Sequence, residues 1–334
     1  MIDSVDALKN KLSMVENLLQ ISSTQRLSAQ IGGAPEGEHP TDGLYRRLKC
    51  ALEPASDAEV AMVREYVANT HGKTHITYTL EVTDVFAAER PGEADAHRAS
   101  LGNRQMLWHG SRLSNWAGIL SQGLRIAPPE APATGYMFGK GLYFADMCSK
   151  SANYCMATRA NNKVVVMLCD VALGEMYERV TADYDAPKAC KKKGKHSTFG
   201  LGRDAPCEDG ARVVDGVKWP TGKWAPHAYL NENRERLCAA EKTDEPKLLY
   251  NEFIVYALEQ ARHGRVVARH HSYSHSVLVA RAGAHPLRRR LRRPLRVTSP
   301  RARPARCGRD SGLWSSARRV DRDARWLCRY MSGR

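Results

Sequence analysis

The uneven distribution of charge along the chain limits which part of it can form a globular domain. Residues 257–334 contain 20 Arg, no Lys and only four acidic residues, a net charge of +16, whereas the whole chain of 334 residues carries +15. Residues 1–256 are therefore close to neutral. A surface that attracts polyanions is expected only where the basic residues lie, so the excess charge predicts such a surface in the C-terminal segment alone.

Composition and periodicity divide the chain into three segments. Apolar residues spaced three and four apart predict one amphipathic helix over residues 2–19, within a first segment of residues 1–30. A Gly- and Pro-rich linker over residues 31–42 opens a globular domain that is predicted to end at residue 267. Residues 268–334 are predicted to be a disordered Arg-rich tail. Two interpretations of this tail stay open: a genuine basic tail, or the product of a translated intron or a shifted reading frame.

Short apolar runs within residues 31–267 predict small strands and helices that do not alternate regularly. Ser56 and Glu59 form a capping box at the start of a helix. Residues 185–247 have weak periodicity and are predicted to run over the surface. Because strands and helices do not alternate regularly, the expected fold class is α+β rather than a doubly wound sheet. The other predicted elements are strands over 76–82, 141–145, 164–169 and 253–256, and helices over 116–120 and 149–158.

Cysteine usage and hydropathy exclude several classes of protein. The nine Cys residues include no C-x-x-C pair, so neither a zinc finger nor another metal site is expected. An odd number of Cys in a long chain favours reduced thiols in the cytosol or nucleus over a secreted disulfide scaffold. No run of about 18 uncharged apolar residues occurs, so no membrane-spanning helix is expected. The N-terminus carries Asp3 and Asp6 without an apolar core, and we expect no signal peptide there.

Four motifs in a fixed order carry the functional information. They are LWHGSR at 107–112, AGILSQGLRIAPP at 117–129, TGYMFGKGLYFADMCSKSANYC at 134–155 and LLYNEFIVY at 248–256. Together they resemble the catalytic domain of the poly(ADP-ribose) polymerases, in the branch that responds to DNA damage. The resemblance implies an ADP-ribosyltransferase fold, with antiparallel sheets and flanking helices around a cleft for NAD⁺. It further implies a nuclear DNA-repair enzyme that transfers ADP-ribose to proteins, including itself, and extends the polymer with release of nicotinamide.

The resemblance also implies roles for individual residues. Glu252 corresponds to a carboxylate that binds a ribose hydroxyl and stabilises the cationic transition state of glycosidic cleavage. Tyr143 and Tyr154 correspond to rings that stack on nicotinamide, and His109 to a residue that binds the adenosine ribose. His109, Tyr143 and Glu252 form the expected catalytic triad. The implied NAD⁺-binding residues are His109, Gly110, Ser111, Arg125, Tyr136, Tyr143, Ser151 and Tyr154, with Met137 and Lys150 on the acceptor side.

Some features allow simpler interpretations. Lys150 also fits a solvated helix residue, and Met137 fits a core filler. The Gly-Lys-Gly sequence at 139–141 lacks the spacing of a phosphate-binding loop. The Lys-rich segment 188–195 is interpreted as a solvated loop with more lysines than its counterpart in the family.

Residues 1–30 resemble only the last helix of the family's helical regulatory subdomain, and no zinc finger or Trp-Gly-Arg module is found in the sequence. We therefore expect activity that does not depend on broken DNA. Two alternatives to a polymerase stay open. One is an NAD⁺-binding fragment that is inactive or transfers a single ADP-ribose. The other is a protein that binds nucleic acid non-specifically through its Arg-rich tail, by counterion release.

Overall fold

A computed structural model describes Lys11 and residues 40–128, 136–158 and 161–273 of the chain. Apart from Lys11, the predicted helix over residues 2–19 lies outside the described residues, as do most of the predicted linker and the Arg-rich tail from residue 274 onward. The elements below belong to the predicted globular domain and to the first residues of the predicted tail.

Seven α-helices and fourteen β-strands occur in the described residues. The helices are α1 (Pro40–Leu48), α2 (Asp57–Asn69), α3 (Glu93–Ala96), α4 (Trp116–Gln122), α5 (Cys148–Asn153), α6 (Ala186–Lys192) and α7 (Ala228–Glu241). The strands are β1 (Ala51–Pro54), β2 (Tyr78–Glu89), β3 (Arg104–Gly110), β4 (Leu142–Phe144), β5 (Lys163–Ala172), β6 (Met176–Arg179), β7 (Ser197–Gly200), β8 (Gly202–Pro206), β9 (Arg212–Val214), β10 (Val217–Trp219), β11 (Trp224–Pro226), β12 (Leu248–Tyr250), β13 (Glu252–Val255) and β14 (Ala261–Tyr273).

A seven-stranded sheet in the order β1-β2-β14-β5-β3-β10-β9 forms the centre of the domain. Successive side chains of a strand point to opposite faces of its sheet, and β5 uses both faces for packing. Val165 and Met167 belong to one hydrophobic cluster, whereas Val164 and Val166 belong to another that includes Tyr66 of α2. The continuous apolar run of β5 is explained by this arrangement, because neither face of the strand is exposed to solvent.

Two smaller sheets, β4-β13-β7-β6 and β11-β8-β12, complete the fold. In the four-stranded sheet, antiparallel pairing places Ile254 of β13 opposite Tyr143 of β4, and Glu252 opposite Gly200 of β7. An isolated antiparallel bridge between Trp108 and Ala145 connects β3 of the central sheet with the end of β4. The bridge brings the last residues of β3 beside the four-stranded sheet, and the functional site lies there.

The predicted fold class is confirmed, because helices combine with predominantly antiparallel sheets. The capping box is also confirmed: Ser56 Oγ accepts from the Glu59 N–H at 3.4 Å, and Glu59 Oε2 accepts from the Ser56 N–H at 3.1 Å. Gly123 ends α4 with φ at +83°, a conformation that glycine adopts at low cost. None of the helices in the described ranges combines the length and the hydropathy that crossing a bilayer requires.

Three details of the sequence prediction were wrong. The strand expected over residues 76–82 begins at Tyr78 and continues to Glu89, and Ile76 lies before it, largely exposed. The helix expected to reach residue 158 ends at Asn153. Residues 185–247 do not simply cover the surface, since β7 is buried between β6 and β13. Such short strands of small and polar residues carry no apolar periodicity, although pairing on both edges buries them.

The described part of the fold continues past the predicted domain boundary at residue 267. Strand β14 continues to Tyr273, and its residues 265–273 pair with β2, up to the pair Tyr273–Tyr78. The Lys-rich segment around residues 188–195 includes helix α6 rather than being a loop throughout.

Candidate active site

A cleft of about 560 Å³ lies where β3, β4, α5 and the start of β13 converge. Its wall contains ten of the eleven residues implied by the sequence resemblance: His109, Gly110, Ser111, Arg125, Tyr136, Tyr143, Lys150, Ser151, Tyr154 and Glu252. Met137 instead packs beside a small hydrophobic cluster formed by Phe138, Ala186 and Ile254. The fold thus brings together side chains from distant segments.

His109 lies at the end of β3 and is held by the neighbouring strand. Its Nδ1 lies 3.0 Å from the carbonyl oxygen of Tyr143. A carbonyl oxygen only accepts hydrogen bonds, so Nδ1 carries the proton and Nε2 of the neutral ring is an acceptor. Burial lowers the pKa of His109, which favours this neutral form. Such a ring suits the binding of a hydroxyl group, in agreement with a binding role.

Gly110 and Ser151 form the floor of the cleft in very close contact. A Cβ placed on Gly110 would lie 1.8 Å from the carbonyl oxygen of Ser151. Ser151 is buried, and its hydroxyl donates to the Trp108 carbonyl at 2.9 Å. Only glycine therefore permits α5 to approach the end of β3 this closely.

The aromatic walls of the cleft come from Tyr143 and Tyr154. The hydroxyl of Tyr143 donates to the Gly139 carbonyl at 2.7 Å and accepts from the Phe138 N–H at 3.0 Å, which fixes its ring. Burial raises the pKa of Tyr143, so its hydroxyl stays protonated. The ring of Tyr136 lies 6.0 Å from that of Tyr143, centroid to centroid. Tyr154 follows α5 and is 56% exposed, so its face remains available at the mouth of the cleft.

Glu252, the first residue of β13, is paired with Lys150 inside the site. Lys150 Nζ lies 3.0 Å from Glu252 Oε1, and both side chains are less than 15% exposed. The same ammonium donates to the carbonyl oxygens of Tyr250 at 2.8 Å and Asn251 at 3.0 Å. The second carboxylate oxygen, Glu252 Oε2, is buried and has no hydrogen-bond partner among the described residues. One oxygen is thus held by the protein and the other is left to accept from a ligand.

The Lys150 environment contradicts the solvated-helix interpretation of this residue. Burial lowers the pKa of Lys150, and the negative charge of Glu252 opposes that shift. A buried ammonium is tolerated only when it is paired and hydrogen-bonded, and here three oxygens surround it. Lys150 therefore contacts the candidate catalytic carboxylate directly.

Sequence reasoning missed the polar support behind Glu252. Asn251 is 2% exposed and its side-chain Nδ2 donates to Asp146 Oδ2 at 2.6 Å, while its side-chain Oδ1 accepts from the Gly202 N–H at 2.8 Å. Burial raises the pKa of Asp146. Asn251 lies in the sequence YNE and Asp146 in the sequence FAD, both within the four motifs identified above. Their place in these motifs is the one feature of the sequence that could have pointed to them.

The opposite end of the cleft is held more loosely. Ser111 Oγ accepts from the Asn115 amide at 2.9 Å, and the Ser111 carbonyl accepts from the Trp116 indole N–H at 3.1 Å. Arg125 lies in the segment after α4, and its side chain is exposed. These residues present donors and a positive charge to the cleft without being tightly buried.

Comparison with known proteins agrees with this geometry. Residues 57–268 match the family model of the poly(ADP-ribose) polymerase catalytic domain, which defines an ADP-ribosyltransferase fold. Since this match covers more than half of the chain, the protein belongs to the poly(ADP-ribose) polymerase family.

Named relatives come from plants and animals. The chain is 48% identical over 266 residues to poly(ADP-ribose) polymerase 2-A of Oryza sativa subsp. japonica, which covers 78% of this chain and 38% of the relative. It is 45% identical over 258 residues to poly(ADP-ribose) polymerase 2 of Homo sapiens, with coverage of 76% and 42%. It is 46% identical over 265 residues to poly(ADP-ribose) polymerase 1 of Danio rerio, with coverage of 78% and 24%. The chain spans less than half the length of each of these relatives.

Proposed function

We propose that this protein transfers ADP-ribose from NAD⁺ to protein acceptors, including itself, and extends the product into poly(ADP-ribose). The observation that best supports the proposal is the way the two carboxylate oxygens of Glu252 are held. One carboxylate oxygen is fixed by Lys150 at 3.0 Å, and the other is buried in the cleft without a partner among the described residues. NAD⁺ enters as a substrate rather than as a resident cofactor.

The residues of the cleft fit the parts of NAD⁺. The nicotinamide ring would lie between Tyr143 and Tyr154, and its carboxamide would reach the backbone of Gly110 and the hydroxyl of Ser151. The absence of a side chain at Gly110 leaves its backbone accessible. The neutral ring of His109 would accept from an adenosine-ribose hydroxyl through Nε2, beside Ser111, Arg125 and Tyr136.

The reaction breaks one bond and forms one. The bond between ribose C1′ and the nicotinamide nitrogen breaks, and its electron pair leaves with nicotinamide. An acceptor oxygen attacks C1′, and the proton of that acceptor is released to solvent. As the old bond breaks, positive charge develops on the ribose. The carboxylate of Glu252, which is buried and already in position, would stabilise this charge electrostatically. The same carboxylate would align a ribose hydroxyl as the next acceptor, which favours polymer over single transfer, while Met137 and Lys150 would border the acceptor.

Incubation of the full chain with NAD⁺ tests the proposal. Nicotinamide release should be accompanied by self-modification in repeated ADP-ribose units, measured by mass spectrometry. NAD⁺ binding without nicotinamide release would support the alternative of an inactive fragment. A product that stops at one unit would support the alternative of single transfer.

The cellular setting is proposed on resemblance to the named relatives. We infer a nuclear protein that acts in DNA repair and needs no metal. A fluorescent fusion of the full chain that remains outside the nucleus would contradict this. Non-specific binding of nucleic acid through the Arg-rich tail is the second candidate activity, and a steep salt dependence that vanishes on deleting residues 274–334 would support it.

A further inference from the structure

A strongly basic surface lies beside the cleft, and the proposed reaction does not use it. Residues 183–195 contain five Lys and two Asp, although residues 1–256 as a whole are close to neutral. Helix α6 and the turn that follows it present these lysines. We call this set the α6 basic surface: Lys188, Lys191, Lys192, Lys193 and Lys195.

Three of these five ammonium groups are not neutralised by an acid in the described part of the chain. Lys188 pairs with Asp185 at 2.7 Å, and Lys195 pairs with Glu175 at 3.1 Å. Lys193 Nζ lies 5.3 Å from the centre of the Tyr177 ring, a contact that leaves its charge in place.

Lys191 and Lys192 are exposed in the last turn of α6, and no acidic side chain of the described residues pairs with them. The helix dipole favours cations at this end, but it does not occupy their three N–H donors. Their ammonium groups are therefore available to an anion.

Two other residues of segment 183–195, Asp183 and Pro187, contact the acceptor side of the site. The Asp183 N–H donates to the Met137 carbonyl at 2.9 Å. A Cβ on Gly139 would lie 2.7 Å from Pro187 of α6, and the Gly139 carbonyl accepts the Tyr143 hydroxyl bond. Tyr184, at the start of the segment, is 69% exposed.

Resting on the proposed function, we propose that the α6 basic surface holds completed units of the growing polymer. Each ADP-ribose unit carries two negative phosphates and one adenine. Lys191, Lys192 and Lys193 would attract the phosphates, and the exposed ring of Tyr184 would stack with adenine, as aromatic rings do beside basic grooves for single-stranded nucleic acids. Product held next to the acceptor side would stay available for the next transfer, so longer chains would form.

Single-stranded nucleic acid has related chemistry, but the position of the surface favours the product. The segment that carries these lysines contacts Met137 through Asp183 and Gly139 through Pro187, on the side where the end of the polymer would arrive for extension. Binding of a nucleic acid would not require a surface next to the acceptor side.

A double charge reversal in the full chain tests the proposal. The test variant is Lys191→Glu with Lys192→Glu, and the matched control is Lys49→Glu with Arg64→Glu, which makes the same charge change on exposed residues near β1 and on α2. We would measure the initial rate of nicotinamide release, the length of polymer on a denaturing gel, and the Kd for purified poly(ADP-ribose) and for a single-stranded DNA by anisotropy. Thermal melting of both variants checks that they fold, and Lys191→Gln with Lys192→Gln serves as a milder version.

In the test variant, mean polymer length should fall at least about threefold and the Kd for polymer should rise about tenfold, with a strong dependence on salt. The initial rate of nicotinamide release should stay within about twofold of wild type, because the α6 basic surface lies outside the catalytic cleft. Polymer length and polymer affinity equal to those of the control would overturn the proposal. So would a loss of DNA affinity alone, which would indicate a nucleic-acid surface. If the wild-type chain releases no nicotinamide, the proposed function fails, and the Kd for purified polymer still decides whether the surface binds it.

Discussion

The two ends of the cleft hold their polar groups in different ways. At one end, Glu252, Lys150, Asn251 and Asp146 form a continuous set of buried hydrogen bonds and one ion pair. At the other end, the His109 ring is held by one hydrogen bond within the described part of the chain, to a backbone carbonyl. Charge develops only at the first end during the proposed reaction. Buried polar groups are therefore concentrated at the end where the proposed reaction develops charge, and the contacts are looser at the end where the proposed substrate is only bound.

The largest effect on catalysis is expected at the buried end of the cleft, at Glu252. Glu252→Gln keeps the shape of the side chain and removes its charge, so kcat should fall by about 10²–10³-fold, while the Kd for NAD⁺ changes by less than about tenfold. Rapid-quench kinetics and calorimetry would measure the two quantities. Glu259→Gln, an exposed partner of Arg98, is the matched control and should behave as wild type. Unchanged kcat in Glu252→Gln would rule out the catalytic role.

The next largest effect is expected at the floor of the cleft, where Gly110 contacts Ser151 between the two ends. Gly110→Ala forces a methyl group against the Ser151 carbonyl, so β3 and α5 must separate, and NAD⁺ affinity should fall by about 100-fold or the fold should be destabilised by about 1–3 kcal/mol. Titration calorimetry and thermal melting distinguish the two outcomes. Gly43→Ala is the control, because nothing lies within 4 Å of an added Cβ at that position. A variant with normal affinity and stability would show that the floor adapts.

Lys150→Met tests whether the ion pair matters as well as the carboxylate. The apolar side chain fills the same space but leaves Glu252 buried without its cation, so kcat should fall about tenfold, less than in Glu252→Gln. The exposed Lys188→Met gives the control. Lys150→Arg should recover part of the loss if positive charge is the relevant property. An unaffected kcat in Lys150→Met would reduce Lys150 to a structural residue.

The loosely held end should respond in KM rather than in kcat. His109→Ala removes one proposed hydrogen bond to a ribose hydroxyl, so KM for NAD⁺ should rise about tenfold with kcat within about threefold. Steady-state kinetics of nicotinamide release would test this. A change confined to kcat would mean that His109 acts in the chemical step, and the contrast between the two ends would disappear.

The smallest effect is a dependence on pH. Burial lowers the pKa of His109, so its ring stays neutral below the ordinary histidine value of about 6.5. KM for NAD⁺ should therefore be flat from pH 8 to about 6.5 and rise only in more acidic buffer.

The stability of the fold should also decrease in acid. The histidine of the unfolded chain binds a proton at higher pH than the buried one, so the free energy of unfolding should decrease as pH falls through about 6.5. Burial also lowers the pKa of His75 and His97, which contribute in the same direction. Denaturant titrations between pH 8 and 5.5 would measure this slope.

Local signals predicted the parts of the molecule that local forces determine. The capping box at Ser56 and the buried strand β5 follow from hydrogen bonding within one turn and from a continuous apolar run. The pairing of Lys150 with Glu252 could not be predicted in this way, because its oxygens come from a segment about one hundred residues further along the chain. Ten of the site residues share one cleft, but their roles remain predictions that rest on family resemblance.

The isolated bridge between Trp108 and Ala145 has a mechanical consequence. It joins two sheets that each carry part of the site, since His109 and Gly110 belong to the seven-stranded sheet while Tyr143 and Glu252 belong to the four-stranded one. Its two hydrogen bonds, at 2.8 and 3.0 Å, form a narrow seam. A dinucleotide bound across the bridge would contact both sheets and so disfavour their separation. The amide protons of Trp108 and Ala145 should therefore exchange with deuterium more slowly when NAD⁺ is bound.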